Sequence, residues 1–457
     1  MKNISHQPLS SPFLGICTTI GFAGALVMGV LSWLLLLMIR DLSIILVLLF
    51  SLISFITVAF LFLRNCGSHA PRIGAFAGLI AGLASIVFLG SLVVVQPQTL
   101  AELESQNNQF SASGVMLGLG LIAFLAGLGW VAGTLAKGSE PSKDTDWRSR
   151  FVKVTAASYL PLIAVGGLVT STESGLAVPD SVTTYGSIGI LFPLSLMDET
   201  RIYLEHTHRI FGMFAGIATI VLVIRMIGAP SRMLPRIMSI LLLIGVIIQG
   251  LMGALRVSEE SQGLASIHGI LAQLVFAFAV STGVVCSRRW ASVTPSDEGI
   301  GSAKSTRLLL ILTTIGLCIQ LVFGSLTRHL DSGHALMSHI GFSFIVVVLV
   351  IISGAKCIRV GKLDPQSSAI RPYGMMMHLL VILQFTLGWG ALAMTQTGEE
   401  GHPELPTADE LATAAHIRVP ETIITSSHHL IGALLLASVV AALAWSIKIA
   451  SRPKTQS

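Results

Sequence analysis

The chain has 457 residues, of which 53% are hydrophobic and only 11% charged, and its mean hydropathy is +0.81. No soluble globular domain of this length carries that balance, so the sequence reads as an all-α polytopic membrane protein. The formal net charge of +5 needs no nucleic-acid partner, because the Lys and Arg residues fall in loops where topology retains them.

Apolar stretches of about 20 residues, the length that crosses a hydrocarbon core, run from Leu14 to Met38, Ile44 to Leu63, Ile73 to Val95 and Gly114 to Leu135. Further stretches run Val152 to Val169, Leu204 to Ile224, Met238 to Leu255 and Ala265 to Cys286, then Leu308 to Leu326, Leu336 to Gly354, Met375 to Ala393 and Thr425 to Ile447. Twelve spans are therefore expected. Lys2, Arg64 with Arg72, the run from Lys137 to Lys153, Arg225 with Arg232 and Arg236, Arg288 with Arg289 and Lys304, Lys356 with Arg359 and Lys362, and the tail from Lys448 to Lys454 occupy every second connection. By the positive-inside rule both termini are expected in the cytoplasm, in an inner (plasma) membrane. The first stretch is too long for a secretory signal and lacks a small-residue cleavage site, so it is expected to stay as a span. The cysteines Cys17, Cys66, Cys286, Cys318 and Cys357 lie in spans or near the inner side, where no disulfide is expected.

The polar segment 138–150 is the expected cytoplasmic linker. Before it, residues 1–137 make a four-span region whose spans hold no His, Asp or Glu, Arg40 and Asp41 falling at an outer turn. After it, residues 151–290 and 305–450 are expected to form two four-helix units of the same orientation. A repeat carries that division. Gln249 opens Gln-x-x-x-Gly to Gly253, then Leu255, Arg256 and His268; Gln320 opens the same pattern to Gly324, then Leu326, Arg328 and His339, with equal Gln-to-His spacing. Gln384 with Gly388 starts a looser copy leading to His429. Repeated halves commonly bury their site between them.

His208, His268, His339 and His429 each stand in the first few turns of a span on the outer side, where an idle imidazole is costly. The repeat sorts them into His208 with His268 and His339 with His429. A neutral imidazole from each of two facing helices is how a bundle holds a b-type heme. His428 lies about 100° around the helix from His429, so one of the two ligates; Gly432 and Ala433 favour His429. Glu205 and His208, at i and i+3, share a helix face, which suits a ligand with a proton-handling carboxylate beside it. A plainer reading is an interfacial Glu205–Arg209 pair with a histidine reaching to water. Arg209, Arg256 and Arg328 at outer span ends suit heme propionates, or serve as interfacial anchors. Glu-x-x-His also occurs in diiron sites, which need a second copy that the spans lack.

Gly166-Gly167-Leu168-Val169-Thr170-Ser171-Thr172-Glu173-Ser174-Gly175-Leu176-Ala177-Val178-Pro179-Asp180, then Thr184-Tyr185-Gly186 and Glu205-His206-Thr207-His208-Arg209, resembles the heme A synthase family, the membrane heme O hydroxylases of cytochrome oxidase assembly, over residues 151–450. The resemblance implies that His208 and His268 flank the substrate heme O, that His339 and His429 are axial ligands of a bound heme b, and that Glu205 is the essential carboxylate. It implies successive hydroxylation of the heme O C8 methyl to give heme A, a heme O synthase as supplying partner within the membrane lipid, and room for a homo-oligomer. Ser181 stands where the family often has Trp, Arg328-His329-Leu330-Asp331-Ser332-Gly333 replaces a longer outer loop, and no outer cysteine pair is present. The alternative, from another class, is a non-catalytic bis-His diheme cytochrome b or heme-binding membrane protein.

Overall fold

The computed structural model describes residues 12–39, 42–106, 110–137, 146–228, 233–329, 333–395 and 406–451. Lys2, Arg40, Asp41, Arg232, Leu330 to Ser332, Lys454 and linker residues 138–145 lie outside them. The described residues are all helical apart from turns, with two isolated β-bridges and no strand, and twelve helices are long and apolar enough to cross a membrane. They are α1 (Pro12–Met38), α2 (Ile44–Leu63), α3 (Ala70–Leu89), α4 (Ala112–Ala136), α5 (Trp147–Ser171), α6 (Thr200–Ile227), α7 (Met233–Ser258), α8 (Gln262–Val285), α9 (Asp297–His329), α10 (Gly333–Leu363), α11 (Arg371–Thr395) and α12 (Val419–Ala450). The polytopic all-α membrane fold read from the composition is the fold observed.

Several helices overrun their apolar stretches. α9 begins at Asp297 and α10 ends at Leu363, because hydropathy marks the depth of hydrocarbon while the backbone keeps its hydrogen bonds through the interface as well. α3 does the opposite. It stops at Leu89 and turns through a short 3-10 segment, Gly90–Leu92; a side chain at Gly90 would strike the Ile190 carbonyl.

The helices fall into two compact units. One comprises Met1–Ser158, Thr183–Glu199 and Arg209–Gly228; the other comprises Tyr159–Val182, Thr200–His208 and Ala229–Ser457. In the first unit α3 packs along α4 on a small-residue stripe. A Cβ at Gly74 would collide with the Gly129 carbonyl, and one at Gly78 with the Leu125 carbonyl, so the two backbones touch, as dispersion-driven packing in lipid requires. The same unit has an aromatic core: Phe22 meets Phe151 at 5.5 Å and Phe214 at 5.7 Å between ring centres, and Trp33 meets Phe211 at 5.9 Å. Arg225 donates to Thr19 Oγ1 at 3.0 Å and to the Trp147 carbonyl at 3.2 Å, with its guanidinium 4.4 Å from the Phe151 ring centre. Cys66, in the turn before α3, is buried, and that burial pushes its thiol up to about 11.

In the second unit α9, α10, α11 and α12 each contact the next and α12 contacts α9, closing a four-helix ring. α8 packs on α7, α9 and α12. Ser266 of α8 and Ser325 of α9 bridge hydroxyls at 2.8 Å, satisfying two polar groups that lipid would leave unpaired.

Candidate functional site

The second unit gathers histidines into two pairs. The rings of His208 (α6) and His268 (α8) are 6.4 Å apart between centres with planes at 80°. Those of His339 (α10) and His428 (α12) are 6.3 Å apart at 75°. All four stand in the second or third turn of helices that start on the same expected side. The ring that faces His339 is therefore that of His428, whereas the glycines after the His428-His429 dipeptide favoured His429. The reason is rotational: Gly432 lies one turn beyond His428, on its face, and there meets Gln384 rather than a second histidine.

A common cradle holds the four rings. A Cβ on Gly166 would approach His208 Cε1 to 3.1 Å, on Gly253 His268 Cε1 to 3.3 Å, on Gly324 His339 Cε1 to 2.9 Å, and on Gly388 His428 Cε1 to 3.1 Å. Each imidazole thus lies edge-on against a helix stripped of its side chain. Three of the glycines end the Gln-x-x-x-Gly motif, whose glutamine sits one turn earlier on the same face. Nδ1 of His339 lies 3.1 Å from the Gln320 carbonyl and Nδ1 of His428 3.2 Å from the Gln384 carbonyl. A carbonyl only accepts, so Nδ1 carries the proton there and Nε2 keeps its lone pair, the tautomer that ligates iron. The glutamine amides serve the same residues. Gln249 and Gln320 donate to the main-chain carbonyls of His268 and His339 at 3.3 and 2.7 Å, and Gln384 Nε2 stands 3.2 Å from His428 Nε2.

The two pairs differ in company. Glu205 and His206 are buried, at 5% and 4% exposure, and Glu205 stands one turn before His208 on α6. His428 has the ring of His339 opposite it. His429 occupies the other flank of α12, with Nδ1 3.4 Å from Gln273 Nε2 of α8 and its ring against Gly167, the neighbour of the glycine that cradles His208. Among the described residues no three or more His, Cys, Asp or Glu side chains converge as a metal cluster, so a diiron arrangement around Glu205 and His208 has no second ligand set there.

The arginines at the ends expected outside hold backbone. Arg256 donates to the Gly175 carbonyl at 2.7 Å, and a Cβ at Gly175 would collide with that guanidinium, which explains the glycine of the Ser-Gly-Leu motif. Arg328 donates to the Thr170 carbonyl at 2.5 Å and lies 3.6 Å from the Glu173 carboxylate. Arg209 donates to the Thr183 carbonyl at 2.7 Å. Arg201, which sequence reading passed over, is buried and ties two outer loops, donating to the Thr172 carbonyl at 3.1 Å and the Ala415 carbonyl at 2.6 Å. Its signal was faint: an arginine one turn before Glu205. α5 and α7 both end in a Schellman turn with glutamate in the left-handed position, Glu173 at φ 57° and Glu260 at φ 45°. The closing bonds run from Ser174 N to Val169 O at 2.9 Å and from Ser261 N to Arg256 O at 3.1 Å. A non-glycine residue there costs about 1 kcal/mol, and the reversal at Glu173 is what delivers the Gly175 carbonyl to Arg256.

No curated protein and no solved structure proved similar to the chain. A family model did: residues 149–341, which take in His208, His268 and His339 but stop short of His428, match the COX15-CtaA model, described as cytochrome oxidase assembly protein, and over that stretch the likeness read from the sequence is shown.

Proposed function

We propose that the chain is a heme A synthase-like oxidoreductase that converts heme O to heme A by successive hydroxylation of the C8 methyl, with a bound heme b serving electron transfer. One observation carries the reading: two histidine pairs of equal separation, with the buried carboxylate of Glu205 one turn before His208 on the helix that supplies the first pair. The match to a cytochrome oxidase assembly family supports it.

The residues fit the groups required. Two imidazoles face each other at 6.4 Å in one pair and 6.3 Å in the other, a donor set from facing helices that would suit a heme iron. The glycine cradles leave the rings no side chain to lean away from. His208 and His268 would hold the substrate heme, Arg256 and Arg209 would meet its propionates, and Glu205, a buried carboxylate one turn before His208, would take up and return protons beside the reacting methyl. His339 and His428 would hold heme b, with Arg328 as its propionate residue; His429, first favoured as that ligand, faces Gln273 instead. Heme b, when bound, supplies reversible one-electron chemistry at a buried iron. On this reading residues 151–290 carry the substrate site, residues 305–450 the heme b site and residues 1–137 an added membrane region. Heme O, supplied by a heme O synthase, is the partner molecule, and the protein sits in the inner (plasma) membrane with both termini in the cytoplasm.

Pigment extraction from cells that express the protein beside a heme O source tests the reaction: heme A is the expected product. Glu205→Gln is expected to lower that product by 10²-fold or more, the usual worth of a proton-transfer group, with heme content unchanged. The equal geometry of the two pairs favours one rival, a diheme electron-transfer protein. Normal heme loading with no heme A in the wild type, whatever stands at 205, would establish the rival.

A further inference from the structure

One cavity lies apart from the histidines. In the unit that contains α1 to α4, a groove of about 360 Å³ opens between the end of α2 and the start of α5. Its polar end is formed by Asn65, Arg150 and Lys153, and its apolar end by Leu61, Val154 and Ala157, with Phe62 along one wall. Residues 150, 153, 154 and 157 follow the three-and-four spacing of one helix face. Leu61 lies one turn deeper in α2 than Asn65, and Ala157 two turns deeper in α5 than Arg150, so both walls grade from polar to apolar in the same direction.

The cation at the mouth is held ready. Arg150 lies 4.8 Å from the Trp147 ring centre and 5.6 Å from that of Phe62, and the two rings are 6.2 Å apart. Resting against two aromatic rings, the guanidinium loses little freedom on meeting an anion. No carboxylate is among the lining residues. A basic mouth at the helix ends above an apolar floor is the shape of an anionic amphiphile.

We propose that this groove binds an anionic phospholipid, its phosphate against Arg150, Lys153 and Asn65 and one acyl chain against Leu61, Val154 and Ala157. The test uses the full-length protein, exposed to vesicles of phosphatidylglycerol or phosphatidylcholine and then read by native mass spectrometry for retained lipid. The wild type is expected to retain phosphatidylglycerol in preference to phosphatidylcholine. Arg150→Gln and Lys153→Gln are each expected to lower that retention about fivefold, and together about 25-fold, at roughly 1 kcal/mol per basic residue. Ala157→Phe, which fills the apolar end and leaves the charges, is expected to lower retention of both lipids, while Arg289→Gln, in the short helix Arg288–Ser292 and not a lining residue, leaves it unchanged. Equal retention by the double variant, or no preference between the lipids in the wild type, overturns the proposal. A single size-exclusion peak in each variant separates a lost lipid from a lost fold.

Discussion

His428 and His429 are neighbours in sequence and about 100° apart around α12, and that angle turns them to different partners. His428 faces His339 across 6.3 Å, while His429 turns to Gln273 of α8. His339→Ala and His428→Ala are each expected to abolish a low-spin b-type spectrum or convert it to high spin, and His429→Ala to keep it. A low-spin spectrum lost in His429→Ala and kept in His428→Ala would reverse the assignment. The choice was poorly legible because the rotation of a helix about its axis is set by its neighbours, not by its own residues. The readable trace was spacing: Gly432 is i+4 from His428, and the glycine of the third Gln-x-x-x-Gly motif lies against His428. The cradles yield a second expectation. In Gly324→Ala the new methyl would stand 2.9 Å from His339 Cε1, tighter than van der Waals contact allows, so the ring must tilt. Heme affinity at that pair is expected to fall about 10- to 100-fold, the usual cost of disturbing a ligand's support, measurable by heme titration of the purified variant.

Helices were the most legible elements, since a run of apolar residues long enough to cross lipid has one low-energy backbone. Their ends were less so. α9 and α10 continue past the apolar run, because charged residues at the interface favour neither stopping nor continuing. The grouping of the histidines was visible in the Gln-x-x-x-Gly repeat, but the repeat read as an internal symmetry, and the structure adds its local contacts: carbonyl acceptor, amide donor and bare flank for one imidazole. Glycine has the opposite meaning in α3. There Gly74 and Gly78 admit backbone to backbone, and no ring intervenes. Gly78→Leu is expected to force α3 and α4 apart and destabilise the first unit by about 1–3 kcal/mol, the usual cost of overpacking, read as a lower thermal midpoint in detergent. An unchanged midpoint would mean that the close contact contributes little to holding the bundle.

At the scale of the molecule, if each of the twelve long apolar helices among the described residues crosses the membrane, the described stretch begins and ends on one side, because each crossing reverses the chain and the number is even. Which side follows from charge. Arg64, Arg72, Lys137, Arg148, Arg150, Lys153, Arg288, Arg289, Lys356, Arg359, Lys362 and Lys448 mark one set of helix ends, whereas the other set has Arg201, Arg209, Arg256, Arg328 and Arg418. Four of those five arginines are already bound to main-chain carbonyls, so they are structural ties more than free topogenic charges, and their presence does not cancel the bias of the first set. The turn at Cys66 and the tail after Ala450 are therefore expected inside, and the short helix Leu100–Gln106 and the loop before α12 outside. Alkaline phosphatase fused after Gln106 or Ala415 should be active, and fused after Ala136 or Ala450 inactive, with a cytoplasmic reporter giving the mirror pattern. The reverse pattern would put the histidine pairs at the cytoplasmic face. It would also turn the Arg150 groove to the opposite leaflet, leaving the helix count and both histidine pairs as they are.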